Sequence, residues 1–306
     1  MKLKVFSLAV AITTICAVGF NSCSKSSSGG GTTDSGTDAA TQADDQSYYS
    51  IESDDATNDA DASISTYSGS YNARPEGVFT WPCDASSTVI KDTIGSTASI
   101  TITYTGTTCG LIPYHKRTGT ITVSYDTAQK WSDTGSVVTI TFDLTSTRLF
   151  DNKVMTLTGT RTITNVYGGL LPALSGSDSI VRSIADNMTI TFNNGSQRTW
   201  QTSLHRVFTY DNGLVSTTSG STSGTNRFGN SFSATITGLV VEQCSDFRYT
   251  AGTVSFTGGG GGTSTTTFGL DSALTGPVSD CTTGAIWFAF SWVGPNGGTY
   301  KTSGSY

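Results

Sequence analysis

The stretch SITITYTGT, residues 99–107, decides the fold because large apolar residues alternate in it with threonine. Ile100, Ile102 and Tyr104 occupy every second position, with Thr101 and Thr103 between them. Successive side chains of a strand point to opposite faces of a sheet, so this pattern predicts a strand with one buried face and one face in water. The same alternation recurs at 121–125, 138–144, 188–192, 232–236 and 254–256.

Short turn signals separate these stretches. Asn194-Gly195, Asn212-Gly213 and Asn296-Gly297 are dipeptides that accept the left-handed backbone of a tight hairpin. No helical period follows the N-terminal apolar run. The sequence therefore predicts an all-β fold, an antiparallel meander of about a dozen strands in a curled sheet, a sandwich or a barrel-like form.

The N-terminus has the layout of a bacterial secretory signal. Lys2 and Lys4 precede an uncharged apolar run from 5 to 20, and Cys23 follows Ser22. The small residue before Cys23 resembles the lipobox of bacterial lipoproteins, whose cysteine is acylated after cleavage. The resemblance implies a signal peptide over 1–22 and lipidation of Cys23; ordinary secretion with an incidental cysteine is the alternative.

Residues 23–73 are rich in Ser, Gly, Thr, Ala and Asp. They hold nine acidic residues and a single basic one, Lys25. Such a composition cannot bury a core, so it predicts a disordered, solvated tether between the lipid and an all-β domain over 74–306. The formal net charge of -6 comes from this N-terminal part, because basic and acidic residues balance from Arg74 onward.

A family resemblance rests on motifs spread over about residues 98 to 293. In chain order they are GTTC, RTGTITVSY, TGSVVTITF, TLTGTRTITN, ITFNNGSQRTW and a late cysteine before TTGAIWFAF. This order resembles a group of uncharacterised lipoproteins of Bacteroidota, a domain of unknown function. The resemblance implies secretion and a β-fold, and it transfers no catalytic residue, ligand or activity.

The motifs of several enzyme classes are absent from the sequence. There is no Gly-x-Ser-x-Gly elbow and no phosphate-binding loop, and the two histidines lie 90 positions apart. The sequence also has no stripe of basic residues interleaved with aromatic residues, the pattern that would predict nucleic-acid binding. The sequence predicts no cofactor, no metal site and no catalytic residue. A catalytic pair of carboxylates that the fold brings together would have no recognisable motif in the sequence.

Two features remain as candidates for ligand binding. His115, Lys116 and Arg117 form the only tight basic cluster, which suits a phosphate or an acidic glycan if it is not simply a solvated loop tip. Trp131 stands in the polar stretch TAQKWSDTG and is predicted to be exposed, where its ring could stack on a sugar.

Four cysteines remain in the predicted domain, which suggests two disulfides in an exported protein. They allow three pairings. We favour Cys83 with Cys109 and Cys244 with Cys281, because each pair flanks a local group of strands; the crossed pairings become realistic if the sheet closes into a barrel.

These features predict a lipid-anchored domain of the cell envelope, located at the outer membrane on its periplasmic or outer side. Its role is noncatalytic, structural or ligand-binding, with a carbohydrate or another envelope protein as the candidate partner. The alternative is a secreted hydrolase that acts on glycans through two carboxylates.

Overall fold

The computed structural model describes residues 36–67, 85–94, 97–108, 115–210, 213–243, 247–258, 262–278 and 285–305. Cys23 and the four cysteines predicted to form disulfides, Cys83, Cys109, Cys244 and Cys281, lie outside these ranges, as do the predicted signal peptide over 1–22 and residues 68–84.

One antiparallel sheet of thirteen strands makes up most of the protein, and each strand pairs with its neighbours in chain order. The predicted all-β meander is therefore confirmed. The described strands leave the sheet open, with β1 and β13 at its two edges. The strands are β1 (Ala85–Ile94), β2 (Thr97–Thr105), β3 (His115–Asp126), β4 (Ser136–Arg148), β5 (Val154–Asn165), β6 (Ser179–Phe192), β7 (Gln197–Tyr210), β8 (Leu214–Thr225), β9 (Ser231–Gln243), β10 (Phe247–Gly258), β11 (Thr263–Leu270), β12 (Trp287–Val293) and β13 (Thr299–Ser305).

The alternating pattern of the sequence becomes the two faces of this sheet. Ile100, Ile102 and Tyr104 of β2 are buried, and their neighbours across β3 and β4 extend the same apolar face. The opposite face is rich in hydroxyl groups. On β5, Thr156, Thr158, Thr160, Thr162 and Thr164 all lie on that outer face, partly or fully exposed.

A 32-residue helix, α1 (Gly36–Tyr67), packs against the buried face of the sheet. Tyr48, Tyr49, Ala56, Ala60 and Ile64 are all buried and belong to the same apolar cluster as the strand residues. Between 48 and 64 about half of the helix circumference is buried and the other half is partly buried, with no exposed side chain, whereas a helix lying on a flat sheet keeps one face in water. The sheet therefore curls around α1.

The predicted disordered tether over 23–73 is wrong for residues 36–67. The sequence shows no apolar helical period there, and the helix contains seven aspartates, poor helix formers, among many serines and threonines. Its helical state depends on contacts with the sheet rather than on local propensity.

Glycines allow the strands to bend around the helix. Gly159 in β5 and Gly220 in β8 have φ of +128° and +141°, a region that side chains disfavour. A Cβ on Gly159 would collide with the carbonyl oxygen of Asn187 in β6. Both positions therefore depend on glycine, the residue with which β-sheets commonly make local bends.

Two of the three predicted hairpin turns are described in full. Asn194-Gly195 joins β6 to β7 and Asn296-Gly297 joins β12 to β13, with Gly195 and Gly297 at positive φ. Asn212 lies outside the described residues, although Gly213 precedes β8. Within the described ranges, no helix has the length and apolar character needed to span a bilayer.

Candidate functional site

The most strongly charged region of the described structure is the contact between α1 and the concave face of the sheet, here called the helix-sheet interface. Seven acidic residues of α1 form ion pairs with eight basic residues of the sheet and its connections. The acids are Asp44, Asp45, Glu52, Asp54, Asp55, Asp59 and Asp61, and the bases are His115, Arg117, Arg148, Lys153, Arg161, Arg182, Arg206 and Arg227.

The first half of α1 is held at one end of the strands. Asp44 accepts two hydrogen bonds from the guanidinium of Arg148, at 2.6 and 2.9 Å, and lies 2.6 Å from the amine of Lys153. Burial raises the pKa of Asp44, but hydrogen bonds and charge attraction from these two residues outweigh it and hold the pKa below its ordinary value. Asp45 is fully buried between Lys153 and Arg227.

Arg161 of β5 connects the helix to the sheet in the middle of the interface. Its Nη1 donates to the carbonyl oxygen of Ser53 at 3.0 Å, to Oγ1 of Thr57 at 2.9 Å and to Asp54 at 3.2 Å. Its Nε and Nη2 donate to the two oxygens of Asp186 in β6, at 2.6 and 2.9 Å. This two-point geometry is the strong form of an arginine-carboxylate pair.

Asp186 is buried but stays ionised because of its partners. Burial raises its pKa, whereas the charge and hydrogen bonds of Arg161 and the hydroxyl of Tyr49 lower it, and the net result lies below the ordinary value. Burial and the same carboxylate raise the pKa of Tyr49, so its hydroxyl keeps its proton and donates a hydrogen bond to Asp186 at 3.0 Å. Tyr49, Arg161 and Asp186 therefore form one buried hydrogen-bonded unit.

The second half of α1 contacts β2, β3 and β6. Asp59 accepts hydrogen bonds from Arg117 at 3.0 Å and from the hydroxyl of Tyr104 at 2.7 Å, and Asp61 accepts one from Arg182 at 2.6 Å. Arg182 lies near the start of β6, at the opposite end of that strand from its turn into β7. Asp59 therefore contacts the end of the strands that also holds Asp44, whereas Asp61 contacts the opposite end of β6.

Arg198 packs against two aromatic rings. It is fully buried, and its guanidinium lies 4.6 Å from the ring centre of Trp200 and 4.5 Å from that of Phe232. Burial lowers its pKa to about 9. Tyr49 of α1 packs against Trp200 at 4.9 Å, so the helix also contacts this cationic aromatic cluster.

The structure divides the predicted basic cluster between the two faces of β3. Arg117 is 4% exposed and faces α1, and His115 lies 2.9 Å from the carboxylate of Glu52, whereas Lys116 is exposed on the outer face. The expectation of a solvated loop tip is wrong, because these residues begin a strand. Burial lowers the pKa of His115, but the hydrogen bond and charge of Glu52 outweigh it and raise the pKa.

The expectation that Trp131 is exposed is also wrong. Its side chain is 4% exposed, and the guanidinium of Arg182 lies 5.1 Å from its ring centre. The buried amide of Asn165 donates hydrogen bonds to the carbonyl oxygens of Trp131 and Gly169, which closes this end of the core. Its polar sequence neighbours made Trp131 seem accessible, but the fold turns its ring inward.

Sequence reasoning missed the acidic residues of α1 as partners of the sheet. One signal was present in the strands themselves. Arg161 shares its phase with Leu157 and Ile163, and Arg182 shares its phase with Ile180 and Ile184, so both arginines point into the core. A cation at a core-facing position requires a buried anion.

The predicted disulfides fall outside the described residues, because all four cysteines do. The pairing of Cys83 with Cys109 and of Cys244 with Cys281 therefore stays a prediction.

No protein-family model, no curated protein and no solved structure matches this chain. Within the described ranges, no group of three or more histidine, cysteine, aspartate or glutamate side chains has a metal-binding arrangement.

Proposed function

We propose that this protein is a noncatalytic binding domain of the cell envelope, anchored by lipid at Cys23. The observation that carries the proposal is the occupied concave face of the sheet. There α1 fills the space in which a curled sheet would otherwise hold a substrate, and its acids engage the basic side chains. Ligand binding then belongs to the outer surface and to the loops.

The loops that join β5 to β6 and β7 to β8 carry the best candidates for contact with a ligand. Tyr167 is 69% exposed and Tyr210 is 38% exposed, and both connections lie at the same end of the sheet. The first acids of α1, Asp44 and Asp45, contact the opposite end. The two tyrosines therefore lie at the end of the sheet opposite to the one that holds Asp44 and Asp45, and carbohydrate is the ligand class that suits exposed aromatic rings best.

A glycan array tests this proposal directly. We expect the wild-type protein to bind a subset of glycans, and Tyr167→Ala with Tyr210→Ala to weaken that binding at least tenfold. Phe150→Ala is the matched control, because Phe150 is 70% exposed at the other end of the sheet and its loss should leave binding unchanged. Equal loss in the control variant would contradict the assignment of the site.

The hydrolase alternative is tested on the same preparation with chromogenic glycosides. Turnover that a single aspartate-to-asparagine or glutamate-to-glutamine change abolishes would contradict a noncatalytic role. The described carboxylates of the concave face are engaged by arginine, lysine or histidine, an arrangement that favours charge neutralisation over acid-base chemistry.

The anchor is tested by fractionation of cells that carry Cys23→Ala. Acyl chains supply most of the membrane affinity of a lipoprotein, so the variant should move from the membrane fraction to the soluble fraction. Cys16→Ala is the control, since Cys16 falls within the predicted signal peptide and its change should leave the mature protein in the membrane. Membrane retention of Cys23→Ala would count against lipidation.

A further inference from the structure

We propose that the concave basic face of the sheet is a docking site for α1 of a second copy of this chain as well as for its own. The partner is identified by the chemistry of the site, which takes an acidic helix whose carboxylates match a fixed set of cations. Copies that exchange α1 while they fold become linked in pairs, each sheet enclosing the helix of the other.

The contacts of α1 contain nothing that distinguishes the helix of the same chain from that of another. They join residues far apart in sequence, from 45 positions for Asp59 and Tyr104 to 182 positions for Asp45 and Arg227. The sheet holds α1 through side chains and the apolar cluster, and its strands pair only with strands. Exchange would therefore preserve every described contact between helix and sheet.

The helical state of α1 depends on binding to the sheet, as the folded state of a disordered peptide ligand depends on its partner. It contains eight acidic residues and no basic residue, with two adjacent pairs, Asp44-Asp45 and Asp54-Asp55. Repulsion among these charges and the poor helix propensity of aspartate, serine and threonine oppose an isolated helix. Docking onto the cations of the sheet supplies the missing stabilisation, so α1 folds as it binds.

The chain between α1 and β1 is long enough to reach a neighbouring copy. Seventeen residues separate Tyr67 from Ala85, and a fully extended connection of this length spans roughly 60 Å. This exceeds the length of the strands, about 40 Å. Because α1 is packed into the concave face through its buried apolar side chains and its ion pairs, we expect exchange during folding and not between folded molecules.

A zero-length cross-link between α1 and the sheet distinguishes the two origins of the helix. The carboxylate of Asp44 is 40% exposed and lies 2.6 Å from the amine of Lys153, so a carbodiimide should join them. Full-length chains with light and heavy isotopes are mixed in equal amounts, unfolded in urea, refolded together at increasing concentration and cross-linked. Mass spectrometry then measures the fraction of Asp44-Lys153 peptide pairs that combine both isotopes.

If helices are exchanged, the mixed fraction rises with protein concentration and approaches one half, and light scattering shows dimers at the same concentrations. If every helix docks in its own chain, only light-light and heavy-heavy pairs form and the protein stays monomeric, which overturns the proposal. A dimer whose cross-links are all within one isotope also overturns it, because the copies would then associate through another surface.

Two controls accompany the measurement. Lys153→Arg keeps the positive charge but removes the amine, so the cross-link should disappear while the dimer fraction remains. Light and heavy proteins that are folded separately and then mixed should give no mixed pairs; a mixed fraction equal to that of the co-refolded sample would overturn exchange during folding. If wild type gives no cross-link of either kind, dilution of the co-refolded chains decides. A dimer that persists on dilution and separates only when it is unfolded supports exchange, whereas a monomer at every concentration, or a dimer that separates on dilution without unfolding, overturns the proposal.

Discussion

Replacing Arg161 by methionine should destabilise the protein more than any other single change of charge at the helix-sheet interface. Arg161 is 4% exposed and donates hydrogen bonds to Ser53, Asp54, Thr57 and Asp186. Methionine has a similar length and fills the space without a charge. The change therefore removes the only cation that contacts Asp186 among the described ion pairs, and leaves that carboxylate buried.

The size of the effect follows from the cost of a buried charge without its partner. Removing one member of a buried ion pair costs about 3–5 kcal/mol, whereas an exposed charge on the surface changes stability by less than about 0.5 kcal/mol. For a domain of this size the loss corresponds to a decrease in Tm of about 6–20 °C. Lys116→Met, on the exposed face of β3, is the matched control and should unfold like wild type.

The stability lost in Arg161→Met should depend on pH in a definite direction. In wild type the pKa of Asp186 lies below its unfolded value, so its contribution is present above that value and is lost as the pH falls through the folded pKa. Without Arg161, burial dominates and raises the pKa of Asp186, so acid neutralises the buried charge. The stability difference between wild type and variant should therefore narrow when the pH is lowered from about 7 to about 4.5.

Urea unfolding monitored by circular dichroism measures both effects at the two pH values. The double variant Arg161→Met with Asp186→Leu should recover most of the lost stability, because an apolar pair replaces the whole ion pair. A loss below about 1 kcal/mol at pH 7, or a loss that is the same at both pH values, would refute the reasoning. It would mean that water or another group already satisfies Asp186.

Three further outcomes are expected. The pKa of His115 is raised in the folded state, so the stability that its ion pair supplies is complete below the unfolded pKa of about 6.5 and is lost as the pH rises through the folded pKa. His115→Gln should therefore cost more stability at pH 6 than at pH 9 in urea unfolding. Equal costs at the two pH values would contradict the ion pair. Gly159→Ala should lower stability by more than about 1 kcal/mol, because Gly159 has a positive φ and the added Cβ would lie 2.9 Å from the Cα of Met188. Gly298→Ala is the control: its Cβ would meet open space, so it should cost less than about 0.5 kcal/mol in the same assay. Peptide mapping of the nonreduced protein should recover two disulfides, Cys83 with Cys109 and Cys244 with Cys281. A free thiol or a crossed pair would contradict this prediction.

The fold of the sheet could be predicted from the sequence because its information is local. Period-two alternation places Ile100, Ile102 and Tyr104 on one face wherever the strand lies, and Asn194-Gly195 forms a tight turn through its own backbone preferences. Neighbours in sequence become neighbours in the sheet, so a meander needs no distant contact to be specified.

The helix and the helix-sheet interface could not be predicted in the same way, because their determinants are distant in sequence. Asp45 and Arg227 are 182 positions apart, and each reads as an ordinary solvated charge beside its own neighbours. Only the curled sheet brings them together, and only their attraction in a buried setting makes a helix from a segment whose composition opposes one. Local patterning thus determined the strands and turns of this protein, whereas the tertiary structure decided the state of residues 36–67, since long-range charge pairing leaves no period in the sequence.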